Sequence, residues 1–166
     1  MSDSELRVRK VDIFDARDVW EWWNDPLTRQ MMAKKNFVPW DEHQQWFRRL
    51  IEDDNRLMCI GVCRESKVGV VRFDLRESAS KLWEVSINLN PKFRGRGLAS
   101  IFLTASCDFF SQRHHNAILY ANVGVVNNIA SQRTFERAGF LRTPDPVNEF
   151  HYELSIIRRK TLVTDK

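Results

Sequence analysis

Three strand-like segments follow one another between residues 56 and 90, and no other feature constrains the fold as tightly. "RLMCIGVC" (56–63) and "KVGVVRFDL" (67–75) meet at the polar turn "RESK", and "KLWEVSINLN" (81–90) comes next. Segments this close in sequence pair as an antiparallel meander. Alternation places Trp83, Val85, Ile87 and Leu89 of the third segment on one face, and Leu82, Glu84, Ser86 and Asn88 on the other. A strand flanked by others in sequence is not an edge. Its polar face therefore belongs to solvent or to a ligand cleft.

Around this meander the apolar period changes to that of helices. "LRVRKVDIF" alternates as a first strand. "DARDVWEWWND" spaces Ala16, Val19, Trp20 and Trp23 at i, i+3, i+4 and i+7, a helix that Pro26 closes. "PWDEHQQWFRRLIEDD" puts His43, Trp46, Phe47, Leu50 and Ile51 on one helical stripe. After the meander, "GLASIFLTASCDFFSQR" predicts a long helix with Leu98, Ile101, Phe102, Ala105 and Phe109 inward. A strand "AILYANV", a helix "NNIASQRTFERAG" stopped by Gly139, and a final strand "FHYELSII" complete the chain. The order β-α-α-β-β-β-α-β-α-β makes an α/β (α+β) domain around one sheet. We expect a single domain over residues 1–157 and a flexible basic tail over 158–166, which contains Arg158, Arg159 and Lys160.

Composition narrows the partners. A net charge of +4 over 166 residues suits a phosphate-bearing small ligand but is too weak and dispersed for nucleic acid. Cys59, Cys63 and Cys107 form neither a disulfide framework nor a zinc pattern, so no metal is expected and a reducing compartment is. The first ten residues lack an apolar h-region and no apolar run reaches membrane-spanning length, so the expected location is cytoplasmic, without membrane contact.

The polar-faced strand runs directly into "RGRGLAS". Gly95 and Gly97 permit positive φ and close backbone approach, and Leu98 opens a helix. Free N–H groups and the dipole at a helix N-terminus make an anion site, which Arg94 and Arg96 would supplement. Taken alone, the same glycines read first as a strand-to-helix turn. A dinucleotide fingerprint and a Walker loop are both excluded, for want of a third glycine and of Gly-Lys-Ser/Thr. Some thirty residues on, Asn128, Ser131 and Phe135 lie at i, i+3 and i+7 on one helix face, followed by Gly139-Phe140.

Together these two segments resemble the acetyl-CoA-binding core of the GNAT superfamily of N-acetyltransferases. Its pattern Arg/Gln-x-x-Gly-x-Gly/Ala is matched by Arg94, Gly97 and Ala99. Its later Asn-x-x-Ser/Ala-x-x-x-Tyr/Phe, then Gly-Phe, is matched by Asn128, Ser131, Phe135, Gly139 and Phe140. The core match spans residues 68 to 142. The resemblance implies a mixed, mostly antiparallel central sheet flanked by helices on both faces, and acetyl-CoA as cosubstrate. Backbone amides of Arg94, Gly95, Arg96, Gly97, Leu98 and Ala99 would hold the pyrophosphate. Ile87, Asn88 and Leu89 would pair with the pantetheine arm, and Asn128 and Ser131 would contact CoA. Phe135 stands where many members carry a tyrosine that protonates the leaving thiolate. Either another group such as Tyr120 does so here, or the thiolate takes its proton from water. Family members often dimerise, so a homodimer is possible.

Acetyl transfer to an amine needs the amine neutral. Deprotonation at pH 7 costs about 4–5 kcal/mol for a lysine-type amine but only about 1 kcal/mol for an α-amine. Glu84, on the polar strand face where many relatives carry a carboxylate, is the candidate base; it could also be a surface glutamate of the meander. Arg72 and Asp74 share one face of their strand, and register decides whether it is Glu84's. On the acceptor side the candidates are Trp22, Asn24, Arg29, His43, Arg72 and Asp74; His43 also reads as a buried, satisfied histidine. The runs "W-x-W-W-N-D-P-x-x-R", "H-x-x-W-F", "G-V-V-R-F-D" and "E-V-S-I" are similar to the GNAT branch that acetylates nucleotide-linked amino sugars of the pseudaminic-acid type. That implies direct attack by a small-molecule amine, a nucleotide-sugar, in a ternary complex. A protein N-terminal (ribosomal-protein type) acetyltransferase and a non-catalytic CoA-binding sensor are the alternatives.

Overall fold

The structure, a computed structural model, describes residues 6–31, 36–123, 128–144 and 151–156. The expected tail over 158–166 lies outside the described residues. The elements run β1 (Leu6–Lys10), α1 (Ala16–Asn24), α2 (Pro26–Met31), α3 (Trp40–Glu52), β2 (Arg56–Cys63), β3 (Ser66–Glu77), β4 (Leu82–Leu89), α4 (Leu98–Ser111), β5 (Ile118–Asn122), α5 (Ile129–Arg137), β6 (Leu141–Thr143) and β7 (His151–Ser155). They form one sheet in the order β1-β2-β3-β4-β5-β7-β6. Every pairing is antiparallel except β4 with β5. The helix α4 supplies the long crossover that a parallel neighbour requires.

Helices cover both faces, each over its own core. On one side Leu57, Val71, Phe73, Trp83, Val85 and Leu119 meet Phe102, Leu103 and Phe110 of α4 and Phe135 of α5. Gly61 permits close approach there, since a Cβ on it would lie 2.7 Å from the Phe102 ring. On the other side Met58, Ile60 and Val70 meet Val19 and Trp22 of α1 and Phe47 and Leu50 of α3. This second layer packs on β2 and β3. The same face farther across, carrying Arg72, Asp74, Glu84 and Ser86, is not part of that apolar core.

Several expectations need correction. Pro26 ends α1 but also opens the short helix α2, because proline is preorganised for a first helical turn and the Asp25 carboxylate accepts the Thr28 amide at 3.0 Å. Along α1 the buried stripe is Ala16, Val19 and Trp22, rather than one through Trp20 and Trp23. Trp20 is drawn aside, its indole N–H donating to the Val38 carbonyl at 2.8 Å. In α4 the buried set is Leu98, Phe102, Leu103, Ser106, Cys107 and Phe110, with Ile101, Ala105 and Phe109 half-buried. That helix is apolar nearly all round, so its pattern does not fix the phase of its stripe. The three-residue β6 is an addition to the expected order. All three cysteines are free and buried, and burial pushes Cys59 up to about 12.

Candidate active site

The site begins where two central strands part. The parallel ladder between β4 and β5 pairs Leu82 with Ile118, Trp83 with Leu119 and Glu84 with Tyr120, and then stops. From Val85 onward β4 has no partner on that side among the described residues, while its other edge stays paired with β3 to Leu89. Peptide groups of Ile87, Asn88 and Leu89 thus flank an opening, and an extended ligand arm can add to that edge as a strand would.

At the far end of the opening stands the glycine loop. Gly95 and Gly97 adopt φ of 72° and 73°, the left-handed region that favours glycine. Gly97 is the N-cap of α4 and has no side chain with which to cap it. A Cβ built on either glycine meets nothing within 4 Å among the described residues, so the loop is open above its backbone. Leu98 buries its side chain in the core, and Ala99 follows in the first turn, where amides have no intrahelical partner. These features fit a pyrophosphate.

One expected contribution is corrected. The Arg94 guanidinium turns away to Asp25 at 2.6 Å and to the Thr28 hydroxyl, which itself lies 3.4 Å from the Asn88 side-chain oxygen. Burial would raise the Asp25 pKa, but the Arg94 bond and the Thr28 amide hold it below the usual carboxylate range. Arg94 therefore ties the loop to α2 instead of adding free charge to it. Arg96 lies over the Phe93 ring at 5.0 Å.

The register question is settled by pairing. Asp74 lies opposite Glu84 and Arg72 opposite Ser86, so all four share one face. Arg72 Nε donates to Asp74 at 2.8 Å, and Arg76 holds Glu84 with Nε at 2.8 Å and a terminal nitrogen at 2.5 Å. Burial works to lower the Arg76 pKa, but its bond to Glu84 and the charges of Glu84 and Asp74 raise it. Tyr120 is pushed above its ordinary value, first by burial and then by the Glu84 charge, with Arg76 opposing. Its ring stacks on that of His151 at 5.3 Å and 23°. His151 Nδ1 lies 2.7 Å from the Asn122 side-chain oxygen, and Nε2 lies 3.1 Å from Glu153. Sequence reasoning missed Arg76 and His151. Arg76 was legible in the period-2 pattern after Arg72 and Asp74, whereas nothing local marks His151.

The acceptor-side candidates divide. Trp22 is 5% exposed within the core, so it supports the site without lining it. Asn24 uses both ends of its amide on the backbone of Val38, at 2.8 and 3.0 Å, and so secures a loop. Asp74 is buried against Arg72 and orients that guanidinium. His43 is buried with Nε2 at 3.0 Å from the Ala16 carbonyl, which can only accept, so that nitrogen carries the proton. Burial lowers its pKa, against the opposing effect of that bond. Arg29 Nε and Asn88 Nδ2 are buried with no hydrogen-bond partner among the described residues. On α5, Asn128 caps the helix by accepting the Ser131 amide at 3.1 Å. Phe135 is 4% exposed, edge-on to Phe140 and stacked with Tyr152. It is a core residue, which corrects its expected place among cofactor contacts.

A splayed parallel pair with an uncapped glycine loop at a helix N-terminus is the frame of a CoA-dependent acyltransferase. The family model of the acetyltransferase (GNAT) domain matches residues 5–141, and the chain belongs to that family, as an acetyl-CoA-dependent N-acetyltransferase. No curated protein matches it. Among solved structures it is similar to spermidine N-acetyltransferase from Vibrio cholerae in complex with CoA and spermine, at TM-score 0.78 and 19% identity over 92% of this chain and 96% of that one. It is also similar to aminoglycoside acetyltransferase AAC(6')-Ib in complex with coenzyme A, at TM-score 0.76 and 14% identity over 90% and 94%. An N-acetyltransferase from Staphylococcus aureus Mu50 gives TM-score 0.71 and 18% identity over 91% and 98%. At such identities the likeness is one of fold. No described helix is long and apolar enough to cross a membrane.

Proposed function

We propose that the chain acetylates the primary amine of a nucleotide-linked amino sugar by direct attack on acetyl-CoA in a ternary complex. The observation that carries the acyl-transfer part of this reading is the end of the β4–β5 ladder at Glu84 and Tyr120, beside an open polar sheet face. The choice of acceptor rests on the resemblance of the runs around Trp22, His43, Arg72 and Glu84. In this reading the amides from Arg94 to Ala99 take the pyrophosphate, and the β4 edge from Ile87 to Leu89 pairs with the pantetheine arm. Asn128 and Ser131 lie along CoA near the start of α5. That places the thioester carbonyl near the parting of the strands, and the acceptor approaches from the face of Glu84.

Glu84 accepts the amine proton, directly or through water, with its carboxylate oriented by Arg76. A sugar amine behaves like an α-amine, so it asks about 1 kcal/mol of such a base at pH 7. Tyr120 remains protonated and hydrogen-bonds the departing sulfur. Burial and the Glu84 charge oppose ionisation of the phenol, so full proton transfer to the thiolate is disfavoured. Water therefore completes the protonation. The solved relatives named above carry spermine or an aminoglycoside enzyme's title, which agrees with small amines as acceptors.

The test is release of CoA thiol from acetyl-CoA with UDP-linked amino sugars, with peptides bearing free N-termini, with polyamines, and with no acceptor. Stimulation by the amino sugars is expected. Stimulation by peptides alone would replace this reading with protein N-terminal acetylation. Binding of acetyl-CoA without release across the panel would leave a sensor.

A further inference from the structure

Behind Arg72 lies a cavity of about 390 Å³ that the reaction above does not use. Trp23 at the end of α1 and Trp46 of α3 form its aromatic walls, with ring centroids 6.4 Å apart at 43°. Val38 and the buried, pKa-lowered His43 add neutral surface. Glu42 and Arg49 sit at exposed positions of α3 and oppose each other in charge. Arg72 enters from β3, with its guanidinium 5.8 Å from the Trp46 ring centre.

Arg72 is held by one nitrogen only. Its Nε donates to Asp74, and the terminal nitrogens make no hydrogen bond among the described residues. A guanidinium fixed on an aromatic face with its outer donors free is suited to oxygen anions, which it grips at two points. Arg72 is also one residue pair from Glu84 on the same sheet face, since it faces Ser86 while Asp74 faces Glu84. Strand rise and spacing put the two backbones about 8 Å apart.

We propose that this cavity is the acceptor's second binding point, and that it takes an anionic oxygen group, carboxylate or phosphate, carried on a ring packed against the exposed side of the Trp23–Trp46 pair. The inference rests on the acyl-transfer reading above and deepens it. The acceptor is then an amine with a negative charge some two sheet rungs away. A polyamine is disfavoured, because its distal ammonium would meet the Arg72 guanidinium, the charges of Glu42 and Arg49 offsetting each other.

One aminoethyl-phenyl scaffold separates the possibilities: tyramine, tyramine O-phosphate and 4-(2-aminoethyl)benzoate, with spermidine beside them. The expected result is a kcat/KM for the two anionic amines at least ~10-fold above tyramine, the scale of a charge-assisted bond. Arg72→Gln should abolish that advantage, Arg72→Lys should restore part of it, and acetyl-CoA affinity should not change. The ratio of phosphate to carboxylate rates shows which anion is preferred. Calorimetric titration with tyramine O-phosphate in the presence of CoA reads the cavity without turnover. Trp46→Leu, checked for folding by thermal melting, should weaken that binding. Tyramine or spermidine matching the anionic amines, equal anion binding by Arg72→Gln, or no anion binding by the wild type would overturn the proposal. Failure to bind acetyl-CoA would instead overturn the acyl-transfer reading beneath it.

Discussion

Glu84 and Tyr120 are register partners, the last matched pair before β4 and β5 separate. Strand pairing alone sets a carboxylate and a phenol side by side at the vertex of the opening. Arg76 fixes the first and His151 stacks on the second. Their roles should separate in mutant kinetics. Glu84→Gln should lower kcat by about 10²-fold and change the pH–rate profile, while acetyl-CoA binds as before. An unchanged profile would remove Glu84 as the base. Tyr120→Phe should cost about 10–100-fold, the loss of one hydrogen bond to a charged leaving group.

The glycine loop makes a sharper prediction about the cosubstrate. Gly97→Ala forces a side chain into a left-handed position at a cost of about 1–2 kcal/mol, although its Cβ meets no described neighbour. The fold should survive with a slightly lower melting temperature. Gly97→Glu should abolish acetyl-CoA binding, because its carboxylate would stand over the helix N-terminus. Unaltered affinity in a calorimetric titration would remove the loop from the cofactor site.

Asp25 supplies none of the amides proposed to hold the cofactor, yet it holds the Arg94 side chain and caps α2. Asp25→Ala should cost about 1–2 kcal/mol of stability from the lost cap and the partly exposed ion pair. It should also weaken acetyl-CoA binding several-fold, because the loop loses its tie to α2. Loss of stability with full affinity would show that the tie serves folding alone.

Stability should fall in acid in two separable stages. His43 and His114 have lowered pKa values, in both cases chiefly through burial. Their contribution is complete above the ordinary histidine value of about 6.5 and is lost as pH falls toward the lower folded values. His43→Gln should flatten that part of a urea-midpoint profile. Asp15 is fully buried; burial alone would raise its pKa, but bonds from Arg9 at 2.7 and 2.9 Å and from Lys67 hold it low. Its contribution is present above the usual carboxylate range and is lost below it. Asp15→Ala should destabilise the protein by about 2–4 kcal/mol, measured by denaturant unfolding at pH 7.

Much of the frame was legible in the sequence. The meander, the long helix after Gly97 and the Gly139 stop of α5 all depend on near neighbours, and near neighbours are what alternation, helical period and helix-end signals describe. Helix faces were harder. Trp20 and Trp22 are equally apolar, and only the Val38 carbonyl decides which one leaves the core.

What the sequence determined by itself is therefore local: two glycines that can turn left-handed before a helix, and a central strand with one polar face. Only the tertiary structure decided how those parts are used. Arg94 belongs to Asp25, 69 positions away, and not to an anion; Asp74 meets Glu84 across a strand pair; Phe135 and Trp22 serve the core. Charge and hydrogen-bonding capacity are properties of a residue, but their partners are set by which strands and helices come to lie together. That arrangement follows from burial of the whole chain, and no short window of sequence contains it.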